Sequence, residues 1–303
     1  MELNFLKLVI TLRLDADCAD PYLLFGMKTD FAEIFRKAIS CSRKSCEQCP
    51  DASACPFQQV FAQTLSTDPS AVKRFQKPPL PFVFDLPLLP PAPNRGRAVE
   101  IGLTLAGPAT NHVVCFLDAV RLYFGRRASR RRLLAAVSKV DSVDYTGNRS
   151  TIAEQGSAVT LDRLVFLSMA AVQSSVLLPP DAVSLSVTTP LCLLKDGRPL
   201  REFSFSALLR SLLRRTSAIS FHYGGIELEL DYKWLVERSS QIACSSGEFT
   251  WIEWSKNLYG IIGSGTFTGD LTDFHPFLLF GEYFHAGKGA TYGLGRYRLE
   301  KAG

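Results

Sequence analysis

The sequence predicts an α+β protein built from two tandem ferredoxin-like (RRM-like) domains with antiparallel sheets. Some segments alternate apolar and polar residues as strands do, others repeat apolar residues with helical spacing, and the order β-α-β-β-α-β occurs twice. The chain has 303 residues, of which 47% are hydrophobic, which is enough for two buried cores. We place the first domain at residues 1–150 and the second at residues 151–303.

The first domain opens with LNFLKLVITLRLDA, an alternating segment that predicts a strand, and TDFAEIFRKAIS then predicts a helix capped by Thr29 or Asp30. The proline-rich segment QKPPLPFVFDLPLLPPAPNRG suits an edge strand. AVEIGLTLAG predicts a further strand, ATNHVVCFLDAVRLYFG a helix, and RLLAAVSKVDSVDY the last strand. The polar segment TGNRSTIAEQGS has no clear periodicity and predicts the join, which we place between residues 145 and 180.

The second domain repeats this order more loosely. Its predicted strands are AVSLSVTTPLCLL, GIELELDY, TWIEWS, LYGIIGSGTFTG and TYGLGRYRL. Asp196 and Gly197 predict a turn after the first of these strands. The predicted helices are FSFSALLRSLLRRTSAIS, with Ser204 or Ser206 near its start, and FHPFLLFGEYFHAG.

The formal charge of +5 is only mildly basic, so the distribution of charge is more informative than its total. The opening residues lack the basic and apolar regions of a secretory signal, and no segment approaches eighteen uninterrupted apolar residues. We therefore expect a cytoplasmic protein with no membrane partner.

Four of the eight cysteines are clustered in CSRKSCEQCPDASAC. Cys41, Cys46, Cys49 and Cys55 have the spacing C-x4-C-x2-C-x5-C, which can bring four thiolates around one ion. Arg43 and Lys44 would help to keep the thiols ionised. A structural zinc ion is the first interpretation and an iron–sulfur cluster the second; reduced cysteines in a surface loop, without metal, remain the alternative.

Two basic stretches predict contacts with a polyanion. Between Asp118 and Asp141 there is no acidic residue, and five arginines occur within seven residues: Arg126, Arg127, Arg130, Arg131 and Arg132. Such a run is also compatible with a solvated turn. The second stretch runs from Glu282 to Glu300 without an acid and contains Lys288, Arg296 and Arg298. His285, Tyr292 and Tyr297 are interleaved with these cations as candidate stacking groups.

The second stretch, HAGKGATYGLGRYRL, contains Gly287, Gly289, Gly293 and Gly295. A dinucleotide-binding site needs a helix and a second strand after its glycines, and the spacing of a Walker phosphate loop is also lacking. The remaining interpretation is a flexible loop whose free amides approach phosphates, leading into a final strand.

These features together resemble the CRISPR precursor-RNA processing endoribonucleases of the RAMP superfamily. The resemblance rests on LYGIIGSGTFTGDLTDFHPFLLFGEYFHAGKG, on VTTPLCLLKDG before an arginine-rich helix, and on the cysteine cluster before CPFQQVF. It implies binding of repeat-derived precursor RNA and metal-independent attack by a 2′-hydroxyl, leaving a 2′,3′-cyclic phosphate and a 5′-hydroxyl. It also implies other CRISPR-associated effector subunits as partners. The predicted RNA-binding set comprises the five arginines, Lys256, the four glycines, Lys288, Arg296 and Arg298.

Catalysis of this kind needs a proton acceptor, a proton donor and positive charge at the phosphate. The family's commoner pattern has a histidine in the first domain, but here no histidine precedes His112. His112, His222 and His275 suit structural positions. His285 adjoins the glycines and is the first catalytic candidate, with Tyr22 and Lys28 as the second set. A non-catalytic RNA-binding RAMP subunit is the alternative function, and a redox or cluster site at the cysteines is a weaker third.

Overall fold

The structure is a computed structural model, and it describes residues 2–43, 46, 49–51, 53–69, 77–90, 95–125, 134–256 and 258–301. These residues form two compact units. The N-terminal unit comprises Asn4–Leu167, and the C-terminal unit comprises Ser168–Gly303 together with Met1–Leu3. In the described part of the chain, no helix has the length and apolar character needed to cross a membrane.

The N-terminal unit has an antiparallel sheet with helices packed on it. The helices, α1 to α3, are Met27–Ala38, Pro56–Val60 and Val113–Gly125. The strands, β1 to β5, are Asn4–Leu14, Phe82–Asp85, Ala98–Ala106, Ala135–Val143 and Arg149–Glu154. Their order is β2-β3-β1-β4-β5, so that β1 to β4 with α1 and α3 have the ferredoxin-like topology.

Aromatic side chains form much of the core of this unit. Phe31 of α1 lies with its ring centroid 4.9 Å from that of Phe84 on β2 and 6.4 Å from that of Phe116 on α3. All three side chains are fully buried, and each such burial contributes about 1.5–3 kcal/mol. The edge strand β2 is therefore held by helix packing as well as by its hydrogen bonds to β3.

The C-terminal unit repeats the same topology. A three-residue strand, β6 (Phe166–Ser168), lies at the boundary. The helices, α4 to α7, are Met169–Ser175, Phe205–Ile219, Tyr232–Ser239 and His275–Phe284. The strands, β7 to β12, are Ala182–Leu191, Leu194–Lys195, Arg198–Pro199, Ala243–Ser255, Leu258–Thr268 and Tyr297–Lys301. The main sheet has the order β10-β11-β7-β12, which confirms the predicted tandem ferredoxin-like fold.

Several local predictions are confirmed. The turn at Asp196 and Gly197 joins β8 to β9, and both residues have positive φ angles of 51° and 77°. Helix α5 begins after Ser204, whose side chain accepts a hydrogen bond from the amide of Ala207 at 3.3 Å. The proline-rich segment contributes the edge strand β2. Helix α1, in contrast, begins at Met27 with no side-chain cap, so that neither Thr29 nor Asp30 is its N-cap.

Two segments differ from the sequence prediction. GIELELDY has no strand; residues 226–231 alternate between exposed and half-buried, but β10 occupies the place beside β11. Its last residues instead open α6, where Asp231 caps the helix by accepting from the amide of Trp234. In TGNRSTIAEQGS, residues Arg149–Glu154 form β5 beside β4 and belong to the N-terminal unit. The boundary between the two units falls later in the chain, between Leu167 and Ser168.

Candidate nucleic-acid interface

The segment 285–296 connects α7 to β12 and is called the glycine-rich loop below. Its glycines, Gly287, Gly289, Gly293 and Gly295, have φ angles of 76°, 87°, 86° and 65°. A Cβ atom on Gly287 would lie 2.6 Å from the carbonyl oxygen of Cys192, and one on Gly295 would lie 1.8 Å from that of Ala286. Glycine is required here by the backbone conformation and by close backbone contacts.

Hydrogen bonds tie this loop to the rest of the C-terminal unit. The amide of Gly287 donates to Oγ of Ser211 at 2.9 Å, that of Lys288 to the carbonyl of Cys192 at 2.9 Å, and that of Gly295 to the carbonyl of Pro190 at 3.0 Å. Amides of four further residues donate to carbonyls inside the loop: Ala286, Tyr292, Gly293 and Leu294. The expectation of a flexible loop with freely available amides is therefore wrong for most of its length.

Three consecutive amides are the exception. Within the described residues, the amides of Gly289, Ala290 and Thr291 donate no hydrogen bond. They directly follow Lys288, whose side chain is exposed, and Arg298 on β12 is also exposed. Successive backbone amides in a turn form a concave group of donors that suits an anion. Ala290 is 2% exposed, so the amides that a phosphate can reach in this turn are those of half-buried Gly289 and Thr291. This turn is the part of the loop with the chemistry to bind a phosphate.

Helix α5 supports the start of the loop through a buried arginine. Nε of Arg215 donates to the carbonyl oxygen of Phe284, the last residue of α7, at 2.7 Å. Burial lowers the pKa of Arg215 to about 10, so the guanidinium remains charged at neutral pH. Its Nη2 atom is buried and makes no hydrogen bond within the described part of the chain. A cation at this position complements the partial negative charge at the end of a helix.

His285 lies at the C-terminal end of α7 and is 1% exposed. Its φ and ψ angles are 56° and 174°, an uncommon conformation for a residue other than glycine. The backbone amide donates to the carbonyl of Gly281 at 2.8 Å. Because the side chain is buried, the imidazole does not present itself to an RNA in this conformation.

Of the predicted stacking residues of the tail, Tyr297 is buried like His285, whereas Tyr292 is half-buried. Tyr297 is 1% exposed, and its hydroxyl donates to the carbonyl of Leu278 at 2.7 Å. Partial burial raises the pKa of the Tyr292 hydroxyl to about 12. Tyr297 belongs to the hydrophobic core of this unit. The prediction that these residues stack on bases is wrong for His285 and Tyr297 in this conformation, and it stays a prediction for Tyr292.

The second catalytic set lies in the N-terminal unit. Tyr22 precedes the short 3₁₀ turn Leu23–Gly26, and Lys28 is an exposed residue in the first turn of α1. The backbone amide of Tyr22 donates to Oδ1 of Asp20 at 2.9 Å. Partial burial, and secondly the carboxylate of Asp20, raise the pKa of the Tyr22 phenol, so that it remains protonated near neutral pH.

The four clustered cysteines lie close enough to interact. Burial is the main cause that raises the pKa of Cys46; Arg36 opposes it, and the thiols of Cys55, Cys41 and Cys49 add smaller increases. The amide of Cys41 donates to the carbonyl of Arg36 at the end of α1, and Cys55 precedes α2. No group of three or more His, Cys, Asp or Glu side chains among the described residues has the geometry of a metal site.

The remaining predicted RNA-binding residues divide into two groups. Lys256 is exposed in the connection between β10 and β11. Five arginines lie outside the described residues: Arg126, Arg127, Arg130, Arg131 and Arg132.

A cavity that was not predicted from the sequence lies on the face of the C-terminal sheet opposite its helices. It has a volume of about 540 Å³ and lies over all four strands. Two cross-strand rows line it, Ser246-Thr266-Ser184-Glu300 and Glu248-Ser264-Ser186. No aromatic residue lines this cavity, so it lacks the stacking groups that RRM domains use on the same face. Alternating serine and threonine in VSLSV and GSGTF was the available sequence signal.

Comparisons with known proteins agree with the fold. A family model described as CRISPR-associated endoribonuclease Cas6 matches residues 185–297, and a model described as the AF_1859 N-terminal domain matches residues 4–164. No curated protein matches the sequence.

Solved structures share the fold at low sequence identity. Cas6 of Thermus thermophilus is 12% identical with a TM-score of 0.55, over 99% of this chain and 100% of that one. A Cas6 product complex is 13% identical with a TM-score of 0.57, over 98% and 100% of the two chains. A partial Cas6-RT-Cas1–Cas2 complex is 12% identical with a TM-score of 0.57; 99% of this chain is covered, and it spans 46% of that longer chain.

Proposed function

We propose that this chain, which belongs to the Cas6/RAMP family and has the AF_1859 type of N-terminal domain, binds CRISPR repeat RNA and cleaves it as an endoribonuclease. The observation that carries the proposal is the match of the Cas6 family model to residues 185–297. These residues include the glycine-rich loop, in which the amides of Gly289 and Thr291 and the neighbouring Lys288 have the chemistry to contact a phosphate.

The proposed reaction requires no catalytic metal. The 2′-oxygen beside the scissile phosphate attacks the phosphorus, the bond to the 5′-oxygen breaks, and the proton lost from the 2′-hydroxyl is balanced by one gained at the 5′-oxygen. The products are a 2′,3′-cyclic phosphate and a 5′-hydroxyl. The protein contributes by orienting the RNA, by supplying positive charge as the phosphorane forms, and by protonating the leaving oxygen.

The catalytic candidates differ in their access to RNA. His285 is buried and would have to leave its packed position before it could contact a 2′-hydroxyl. Tyr22 has a phenol that stays protonated near neutral pH and suits a proton donor, and exposed Lys28 suits stabilisation of the phosphorane. We assign proton donation to Tyr22 and stabilisation of the phosphorane to Lys28. Because neither residue accepts the proton of the 2′-hydroxyl, that proton passes to water and the reaction is slow.

Cleavage of candidate repeat RNAs in EDTA, followed by end-group analysis, tests the activity. We expect a 2′,3′-cyclic phosphate, a 5′-hydroxyl, and no cleavage of RNA with a 2′-deoxy nucleotide at the cut site. A strict requirement for added Mg²⁺ would contradict the mechanism.

The pH dependence separates the catalytic candidates. If Tyr22 and Lys28 act as assigned, the rate rises with pH through neutrality, and Tyr22→Phe or Lys28→Ala lowers it by about 10²–10⁴ while RNA affinity changes little. If His285 acts, His285→Ala has that effect instead, and the wild-type profile has a limb near pH 6.5, about the ordinary pKa of histidine.

A non-catalytic RNA-binding RAMP subunit is the second candidate function. The burial of His285 favours it, because no other histidine adjoins the loop and none precedes His112. Tight, salt-sensitive binding of repeat RNA with no cleavage over hours would support this alternative. We also propose CRISPR-associated protein partners and a cytoplasmic location; one neighbour in fold is a Cas6-RT-Cas1–Cas2 complex.

The cysteine cluster is proposed to hold one structural zinc ion through Cys41, Cys46, Cys49 and Cys55. The spacing suits four thiolates around one ion, and the thiols of Cys55, Cys41 and Cys49 lie near enough to Cys46 to act on its pKa. The described sulfurs lack ligand geometry as they stand, so binding would have to draw them together. An iron–sulfur cluster is the alternative occupant.

Elemental analysis of protein purified without added metal tests this site. We expect about one zinc per chain, and loss of both the metal and several kcal/mol of stability in Cys46→Ser/Cys49→Ser. Cys18→Ser/Cys244→Ser is the matched control, because neither residue belongs to the cluster. If the purified protein contains no metal and the cluster variant is as stable as the wild type, the four cysteines are ordinary reduced thiols.

A further inference from the structure

Thr189 on β7 is a buried hydroxyl residue in contact with the glycine-rich loop. Its side chain is 1% exposed. The hydroxyl donates to the carbonyl oxygen of Gly293 at 2.7 Å and accepts from the amide of Arg296 at 2.9 Å. The single hydroxyl therefore uses both its donor and its acceptor capacity on two loop residues that are three positions apart.

These two contacts hold the second turn of the loop, residues 293–296. The amide of Arg296 donates to the Thr189 hydroxyl and lies where β12 begins. Replacing the hydroxyl by a methyl group would leave that amide and the Gly293 carbonyl without this partner in a buried site. An unpaired buried amide is unfavourable, so the turn would move to find another acceptor.

The first turn of the loop, residues 289–291, is hydrogen-bonded to the second. The amide of Gly293 donates to the carbonyl of Ala290 at 3.2 Å, and the amide of Leu294 donates to that of Gly289 at 3.4 Å. A shift at Gly293 is therefore transmitted to Gly289 and Ala290. These residues supply two of the three amides that make no hydrogen bond within the described chain.

We infer that Thr189 is the positioning residue that holds the turn at residues 289–291, and with it the amides of Gly289 and Thr291, in the arrangement that receives an RNA phosphate. The inference rests on the proposed RNA-binding function and deepens it. Thr189 itself does not reach the RNA, because its hydroxyl is buried and both of its hydrogen-bonding directions are used inside the protein. Thr189 therefore affects RNA binding indirectly, and it contributes no charged contact to the RNA.

Neighbouring Thr188 provides a matched control. It is half-buried, its amide donates to the carbonyl of Arg296 at 2.9 Å, and its hydroxyl is 3.4 Å from the same oxygen. Thr188→Val removes a long contact and keeps the backbone bond. Thr189→Val removes both short contacts while preserving the branched shape, and Thr189→Ser restores the hydroxyl without the methyl group.

The experiment measures affinity for repeat RNA across a range of salt concentrations. For Thr189→Val we expect affinity to fall about tenfold, the equivalent of losing about one hydrogen bond. The slope of log K against log salt should stay at the wild-type value, because no cation has been removed. Thr189→Ser should recover most of the affinity, and Thr188→Val should bind like wild type.

Amide hydrogen exchange of the RNA-free proteins gives the second readout. Exchange at Arg296 and at residues 289–294 should accelerate in Thr189→Val and return towards wild type in Thr189→Ser, while Thr188→Val stays unchanged. Wild-type affinity together with wild-type exchange in Thr189→Val would overturn the inference, as would failure of Thr189→Ser to recover. If the wild-type protein itself binds no repeat RNA, the proposed function fails, and the exchange data separately show whether Thr189 positions the loop.

Discussion

Substitution of Gly295 by alanine tests whether the glycine-rich loop is constrained by close packing. Gly295 has a φ of 65°, and a Cβ atom there would lie 1.8 Å from the carbonyl oxygen of Ala286. Gly225, in the same unit, has a similar φ of 68°, and an added Cβ would meet nothing within 4 Å. The pair separates the cost of the backbone conformation from the cost of the contact.

The common part of the cost comes from the left-handed conformation. Alanine in this region costs about 1–2 kcal/mol, partly offset by about 0.4–1 kcal/mol because alanine restricts the unfolded chain more than glycine does. These contributions apply equally to both sites. Gly225→Ala should therefore lower the free energy of unfolding by at most about 1–2 kcal/mol.

The additional cost at Gly295 comes from its neighbours. The Ala286 carbonyl must move away, at about 1–3 kcal/mol for overpacking. The same movement weakens the bonds from Gly295 to Pro190 O at 3.0 Å and from Ala286 to Gly295 O at 3.1 Å, each contributing about 0.5–1.5 kcal/mol. Gly295→Ala should consequently be about 2–4 kcal/mol less stable than Gly225→Ala.

Urea unfolding followed by tryptophan fluorescence measures this difference. All three tryptophans lie in the C-terminal unit, so the signal reports on the unit that contains both sites. The two variants should have equal m-values and different midpoints. Equal destabilisation of the two variants would refute the argument, because it would show that the loop yields to a side chain at Gly295 without cost.

Three further outcomes are expected. Lys288→Ala/Arg296→Ala should weaken RNA binding and reduce the salt slope by about 1–2, one per lost phosphate contact, whereas an unchanged slope would place the RNA elsewhere. Arg149 holds the pKa of Glu100 below its usual range, so this pair stabilises the fold above about pH 4.3 and loses its effect as the pH falls through the folded-state pKa. In thermal unfolding, Glu100→Gln should therefore lower stability by less than about 1 kcal/mol at pH 7 and should not change it in acid. Tyr297→Phe should cost about 0.5–1.5 kcal/mol in urea unfolding, since the buried hydroxyl donates to Leu278 O; no loss would mean that this bond adds nothing to stability.

The order of elements and the fold class could be predicted from the sequence because periodicity is a local property. The alternation in β1 and β7 and the helical spacing in α3 and α5 directly reflect which side chains face a core. The turn at Asp196 and Gly197 and the cap at Ser204 could also be predicted, because each depends on a few adjacent residues.

The same local reasoning failed where pairing depends on distant residues. GIELELDY alternates as a strand would, yet β10 lies beside β11 and leaves this segment without a partner. Arg149–Glu154 looks like a polar linker, but β4 offers it an edge and it becomes β5. Alternation indicates which residues face inward; it does not indicate whether a neighbouring strand is present.

The glycine-rich loop shows the same division at the level of function. Its glycines, its cations and the lack of acidic residues from 283 to 299 can be read along the chain, and they were sufficient to indicate a phosphate-binding segment and the family. Only the tertiary structure determines that His285 and Tyr297 are buried, that most of the loop amides are already used, and that Thr189 and Ser211 hold the loop. Residue types are properties of the chain, whereas access to solvent and hydrogen-bond partners depend on β7 and α5, which lie about seventy to a hundred residues earlier in the sequence.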